Sequence, residues 1–285
     1  MTTPVAERPR GTGPPSGPVA PRGALGRIPL VLLVPAVLGA ALLVVPTLSL
    51  VVQTPWGDFW SQVSSTPVLQ ALRLTAVASV ATVVLCMLLG TPLAWLLARV
   101  DFRGRSLLRA AVLVPLVLPP VVAGVALVTA LGRTGLVGKG LYEWFGITLP
   151  YTTTAVVIAH TFVSIPFYIL SVEGALRASG ERLDLVAATL GAGRWTTFRR
   201  VTLPLAMPGV VAGAALAWAR SLGEFGATIT FAGSFPGVTR TVPIEVYLAL
   251  ESEPQTAVLL SLVLLLVSVG VLVGLRDRWL TGGAP

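Results

Sequence analysis

Long, uniformly apolar runs alternate along this chain with short polar segments rich in arginine. Six runs approach or exceed the ~20 residues that a helix needs to cross a hydrocarbon core: about Ile28–Val52, Val68–Ala98, Leu107–Leu131, Thr154–Val172, Leu205–Thr230 and Ala257–Leu275. A spanning segment is either a helix or a strand of a closed barrel, because an unpaired backbone group inside lipid has no water to turn to. None of these runs shows the period-two alternation of barrel strands. The pattern predicts an all-helical integral membrane bundle of six spans, with a first helix over 28–52 and a membrane domain over 68–275.

Composition agrees with lipid as the solvent: 54% of residues are hydrophobic and 11% charged, against roughly 25% charged in a soluble domain. Residues 1–27 are rich in Pro, Gly and Arg and hold few large apolar side chains, which predicts a disordered tail. The alternative, a cleaved signal peptide, fits less well, because the first run far exceeds the 7 to 15 residues of such a core. Cys86 is the one cysteine and lies inside an apolar run, so no internal disulfide forms. Pro115, Pro119, Pro120 and Pro166 fall within spans, where each removes a backbone donor and can kink a helix. No internal repeat stands out.

The net charge of +8 does not point to nucleic acid, because the arginines sit between apolar runs and not along one face or in one tail. Arg8, Arg10, Arg22 and Arg27 precede the first run; Arg99, Arg103, Arg105 and Arg109 fill the second connection. Arg177, Arg182, Arg194, Arg199 and Arg200 fill the fourth, and Arg276 and Arg278 follow the last. The remaining connections carry only Arg133, Lys139 and Arg240. The positive-inside rule then predicts that both termini and the arginine-rich connections face the cytoplasm. Trp56, Trp60, Trp144 and Tyr151 lie near the opposite ends of spans, where amphipathic rings suit the interface.

The fourth connection, about 173–204, is too polar to span and too long for a turn. Leu176, Leu183, Ala187 and Leu190 recur at helical spacing; Gly191 and Gly193 interrupt; Trp195, Phe198, Val201 and Leu203 offer a second apolar face. Helix, glycine turn and helix make a compact knob.

This segment resembles the cytoplasmic signature of permease subunits of ATP-binding-cassette (ABC) importers: Glu-Ala-Ala, three residues, Gly, nine residues, Ile, one residue, Leu-Pro. Gly191, Val201, Leu203 and Pro204 fit the second half. Leu185, Val186 and Ala187 stand at the Glu-Ala-Ala positions, with Asp184 one place early. The resemblance implies a type I importer permease bundle whose coupling helix docks on a partner ATPase. It further implies two ATPase subunits, a second copy of the permease and an extracytoplasmic solute-binding protein. The sequence contains no Gly-rich phosphate loop of the Walker type, so ATP and Mg are expected on the partner and no cofactor in this chain.

Charge inside the spans is scarce. His160 and Glu173 lie in or beside the fourth run, Arg73 near one end of the second, and Arg220 and Glu224 in the fifth. Arg220 and Glu224, four residues apart, share a helical face and are placed to pair. Such a pair either fixes packing or lines a pathway, with Gly223 and Gly226 permitting close approach and Phe225 supplying bulk for a gate. A secondary anion transporter or channel is the alternative class. A membrane enzyme finds no support, for want of metal-spaced histidines, paired carboxylates or a nucleophile motif.

The run Ala219-Arg220-Ser221-Leu222-Gly223-Glu224-Phe225-Gly226-Ala227-Thr228 resembles a signature shared by molybdate and sulfate permeases. Phe231-Ala232-Gly233, Pro236-Gly237, Thr239, Thr241, Pro243 and Tyr247 are similar to the molybdate branch, with a turn expected at Pro236-Gly237. The resemblance implies import of molybdate, shared with tungstate of nearly equal size and charge, with sulfate or thiosulfate as the runner-up.

Overall fold

The computed structural model describes residues 30–280, apart from the side chains of residues 30, 272 and 275–280. The expected tail of residues 1–27, with Arg8, Arg10, Arg22 and Arg27, lies outside the described residues, as do the side chains of Arg276 and Arg278.

The chain divides into two units, residues 1–49 and 50–285. The described part of the first belongs to α1 (Leu30–Gln53), an uncharged, strongly apolar helix of 24 residues that carries Pro35 and Pro46. At 1.5 Å per residue it is about 36 Å long, enough to cross a bilayer core of about 30 Å.

Among its described residues, the regular structure of the second unit is all helical. Short α2 (Phe59–Val63) leads into α3 (Thr66–Arg99), α4 (Arg105–Val117), α5 (Pro120–Leu131), α6 (Gly138–Phe145) and α7 (Thr153–Ala178). Then come α8 (Arg182–Thr189), α9 (Arg194–Thr197), a π-helical turn (Phe198–Thr202), α10 (Leu203–Leu222), α11 (Gly226–Ala232), α12 (Val242–Ser252) and α13 (Pro254–Leu280). Among the described residues five helices are long and apolar enough to cross a membrane, and α5 is a shorter apolar one.

α7 is the central element, packed against both α3 and α10. Thr91 on α3 hydrogen-bonds Tyr168 on α7 at 2.6 Å, and further along Arg177 on α7 donates to the Leu97 carbonyl at 3.2 Å. The order of these contacts makes α3 and α7 parallel. Between them, Cys86, Ala94, Leu97, Tyr168, Ile169 and Val172 form one core with Ala206, Val210 and Ala217 of α10. A second core joins Ala123 and Leu127 of α5, Ala155, Val156 and Val163 of α7, and Ala227 and Phe231 of α11. Each core residue removes apolar surface from the surroundings, yet in lipid the gain comes chiefly from close packing, which explains the many alanines.

Two of the expected spans are not continuous helices. The run 107–131 breaks between α4 and α5, where Leu118 and Pro119 are extended, with ψ of 130° and 140°. Each precedes a proline, and the proline ring clashes with a helical conformation at the residue before it. The run 205–230 breaks at Gly223–Phe225, between α10 and α11. The two breaks meet. A Cβ on Gly226, the first residue of α11, would lie 2.6 Å from Cβ of Pro120, the first residue of α5. Only glycine allows that approach.

Candidate functional site

The knob between α7 and α10 is tied down by one arginine. Arg99, the last residue of α3, is nearly buried, and its Nη2 donates to Ser179 Oγ at 3.1 Å and to the Gly180 carbonyl just past the end of α7. Its Nε lies 3.3 Å from Asp184 Oδ2, close enough for strong attraction although out of line for a hydrogen bond. Asp184 in turn accepts from Thr202 Oγ1 at 2.8 Å. Thus one carboxylate in the first turn of α8 joins the end of α3 to the π turn that leads into α10. From the sequence alone Asp184 reads as a displaced motif acid; its inward orientation toward Arg99 carries no one-dimensional signal.

Gly191 ends α8 in a left-handed conformation, with φ of +82°. The Gly191 amide donates to Ala188 O and the Ala192 amide to Ala187 O, both at 3.0 Å, the paired bonds of a Schellman cap. The capping bonds require that backbone angle, and a side chain there would strain it. Ala187 is half-buried, and Gly193 accepts from the Thr197 amide at 2.9 Å to start α9. Val201 lies half-buried in the π turn, Leu203 packs on the α3–α7–α10 core, and Pro204 follows the π turn inside one continuous helical stretch from Arg194 to Leu222, where it removes a backbone donor. Leu183, Leu185 and Val186 on α8 and Leu190 just after it are exposed, an apolar patch on a charged knob.

Beside the knob, a second cluster was not foreseen as a unit. Glu173 on α7 is buried and bonded to Arg109 of α4, and it accepts from Arg177 Nε at 3.0 Å. The Leu97 carbonyl, at the C-terminal end of α3, accepts from Arg105 at 2.8 Å, Arg177 at 3.2 Å and Arg109 at 3.5 Å. Cations gather where a helix end leaves carbonyls unsatisfied.

The other candidate site is the α10–α11 break. Arg220 Nη1 lies 2.7 Å from Glu224 Oε2, so the pair expected from the spacing forms, though the helix ends between its members. The second carboxylate oxygen accepts from the Ala227 amide at 2.8 Å, which starts α11 after the break. Phe225 packs on Tyr247 with ring centroids 5.0 Å apart. Thr228 is buried, its hydroxyl without a partner among the described residues. Close approach is made at Gly226 and not at Gly223, which faces open space in the single chain. Nearby, buried His160 on α7 shares a 2.8 Å hydrogen bond with Ser221 on α10.

Past α11 the expected turn forms at Pro236-Gly237, and Thr239 Oγ1 accepts from the Phe235 amide at 2.9 Å to close it. Thr75 of α3 accepts from the Val242 amide at 2.9 Å, fixing the start of α12. Two residues singled out in sequence by resemblance, Thr239 and Thr241, thus hold the turn and stand at the cap of α12.

Residues 90–282 match the family described as binding-protein-dependent transport system inner membrane component. The molybdenum transport system permease protein ModB of Mycobacterium tuberculosis is 49% identical over 244 residues, 86% of this chain and 92% of that protein. The sulfate transport system permease protein CysT of Escherichia coli is 33% identical over 251 residues, 85% of this chain and 90% of that one. In fold, the chain superposes on a crystal structure of a bacterial ABC transporter that imports the polysaccharide alginate, with a TM-score of 0.72 at 16% identity, over 90% of this chain and 96% of that chain. A helical bundle with its span-sized helices, a capped knob and this extent of similarity have one reading: the chain belongs to the family of binding-protein-dependent transport system inner membrane components.

Proposed function

We propose that this chain is the permease subunit of an ATP-driven importer of molybdate, with tungstate sharing the route. The observation that carries the reading is the 49% identity to a molybdenum permease over nearly its whole length, against 33% to a sulfate permease. The decisive experiment is a deletion strain grown at trace molybdate. Loss of molybdoenzyme activity, restored by added molybdate, is expected; normal activity with lost sulfate uptake would move the chain to the sulfate branch.

The arginine-rich end lies in the cytoplasm, with both termini there, and the α8 knob docks on an ABC ATPase. The arginine distribution supports this side, and the exposed apolar face of α8 supports the docking. ATP is hydrolysed on that partner, since the sequence has no Walker-type loop. Two ATPase subunits, a second permease copy and an extracytoplasmic solute-binding protein complete the assembly, and the turn at Pro236-Gly237 faces the binding protein. Asp184, Ala187, Gly191, Gly193, Val201, Leu203 and Pro204 shape the docking knob. A bulky residue at Gly191 is expected to leave ATPase activity running without uptake; unchanged uptake and unchanged ATPase stimulation would remove the docking role.

Arg220, Gly223, Glu224, Phe225, Gly226 and Thr228 border the translocation pathway. Arg220 is partly exposed beside a buried carboxylate, so it can offer positive field to a passing oxyanion while held in place by Glu224. Transport by an Arg220→Gln protein at the wild-type rate would end that assignment.

A further inference from the structure

The return limb of the knob presents a feature that docking and transport leave unused. A groove of about 230 Å³ is lined by Pro92 and Trp95 of α3 together with Arg194, Trp195 and Phe198. Trp195 stacks on Phe198 with centroids 5.7 Å apart, and Trp95 meets Phe198 edge to face at 6.2 Å. Trp195 is exposed, and so are Arg194, Arg199 and Arg200. Among the described residues none of these arginines makes an ion pair, whereas Arg99, Arg105, Arg109 and Arg177 all do.

The position of the groove says what can fill it. Trp95 is four residues before the end of α3, or about 6 Å along the helix axis, and the stretch up to it is apolar, so the aromatic wall belongs to the end of a membrane-crossing helix. Indole rings at that level suit the boundary between acyl chains and headgroups. The unpaired Arg194 guanidinium lines the groove with them, and the exposed Arg199 and Arg200 follow Phe198 on the π turn; such cations suit a phosphate, which they bind through charge-assisted hydrogen bonds.

We propose that this groove is a binding site for one anionic phospholipid, with acyl chain against Pro92, Trp95, Trp195 and Phe198 and the headgroup phosphate among Arg194, Arg199 and Arg200. The lipid would anchor the return limb, from α9 through the π turn, to the membrane surface. It requires a membrane-embedded bundle but not molybdate as cargo, so it stands or falls separately from the substrate.

The test is native mass spectrometry of the full chain in detergent, titrated with phosphatidylglycerol or phosphatidylcholine of equal acyl length. One phosphatidylglycerol is expected to be held about tenfold more tightly than phosphatidylcholine. The triple variant R194Q/R199Q/R200Q should lose that preference. The control pair R103Q/R182Q removes exposed arginines that lie neither in the groove lining nor on the limb from α9 through the π turn, and should keep it. Trp195→Ala should weaken retention of both lipids. Equal retention of the two lipids, or equal loss in the control pair, would overturn the site in favour of diffuse attraction. Displacement by inorganic phosphate at matched concentration would overturn it in favour of free phosphate. A lipid held by the free chain but absent from the chain purified with its ATPase would assign the surface to that protein instead.

Discussion

Glu173 and Glu224 are both carboxylates placed among apolar helices, with side chains 6% and 1% exposed, and both answer to arginine. They are held differently. Glu173 has two cations, Arg109 and Arg177, whose side chains are 36% and 46% exposed and keep part of their hydration. Glu224 has one, Arg220, 28% exposed, and its other oxygen is engaged by the Ala227 amide. A buried charge is tolerated in either arrangement, but the first has a spare partner and the second does not. The first is a fastening between α4 and α7; the second both neutralises a charge and begins a helix at a break in a span.

The largest effect should therefore come from Arg220→Ala, which strands the Glu224 carboxylate. A loss of about 3–5 kcal/mol is expected, read as a lowered unfolding midpoint of the full chain in detergent. Glu224→Gln is gentler, because the amide oxygen still accepts from Ala227 and the freed Arg220 reaches water. A loss of about 1–3 kcal/mol is expected from one weakened charged hydrogen bond. If the two variants destabilised equally, the claim that the carboxylate is the more costly member to leave alone would fail.

The same contrast shows what a sequence reveals of such a molecule. Apolar runs announce spans because lipid demands about 20 apolar residues per crossing; α1, α3, α7 and α13 cover four of the expected runs closely, and α10 covers the first part of the fifth. The Pro119-Pro120 break was within reach, since the ring of a proline acts on its immediate neighbour. The break at Gly223–Phe225 was not, because nothing in Gly-Glu-Phe forbids a helix; the chain leaves it where Glu224 can reach the Ala227 amide, a contact decided by tertiary packing. Arg220 and Glu224 were legible as a pair because i to i+4 spacing is a local rule. The partnership of Arg109 with Glu173, or Arg99 with Asp184, spans 64 or 85 positions and follows only from α3, α4, α7 and α8 meeting at one end. The pinning of the knob was therefore the least legible part of the candidate site.

Glu173→Gln comes next in size. Both of its arginines are near enough to solvent to rehydrate and both retain the Leu97 carbonyl as a partner, so the variant loses attraction without stranding a buried charge. About 1.5–2 kcal/mol is expected, at the low end of the range for hydrogen bonds to charged groups. A loss as large as that of Arg220→Ala would show that the arginines are less hydrated than their exposure implies.

Arg177→Gln should have the smallest effect of the series. Glu173 keeps its bond to Arg109, so the carboxylate is not left alone in the bundle. The Leu97 carbonyl keeps Arg105 at 2.8 Å, the shortest of its donors. What disappears is an i to i+4 ion pair with a half-exposed cation, worth about 0.3–0.5 kcal/mol in such settings. The sharper measurement is the double variant Arg109→Gln/Arg177→Gln. If the second arginine is a spare, each single variant is mild and the double loses more than their sum, because only then is Glu173 buried without a cation. Simple additivity would mean that each arginine contributes alone and that the two buried glutamates are held in the same way.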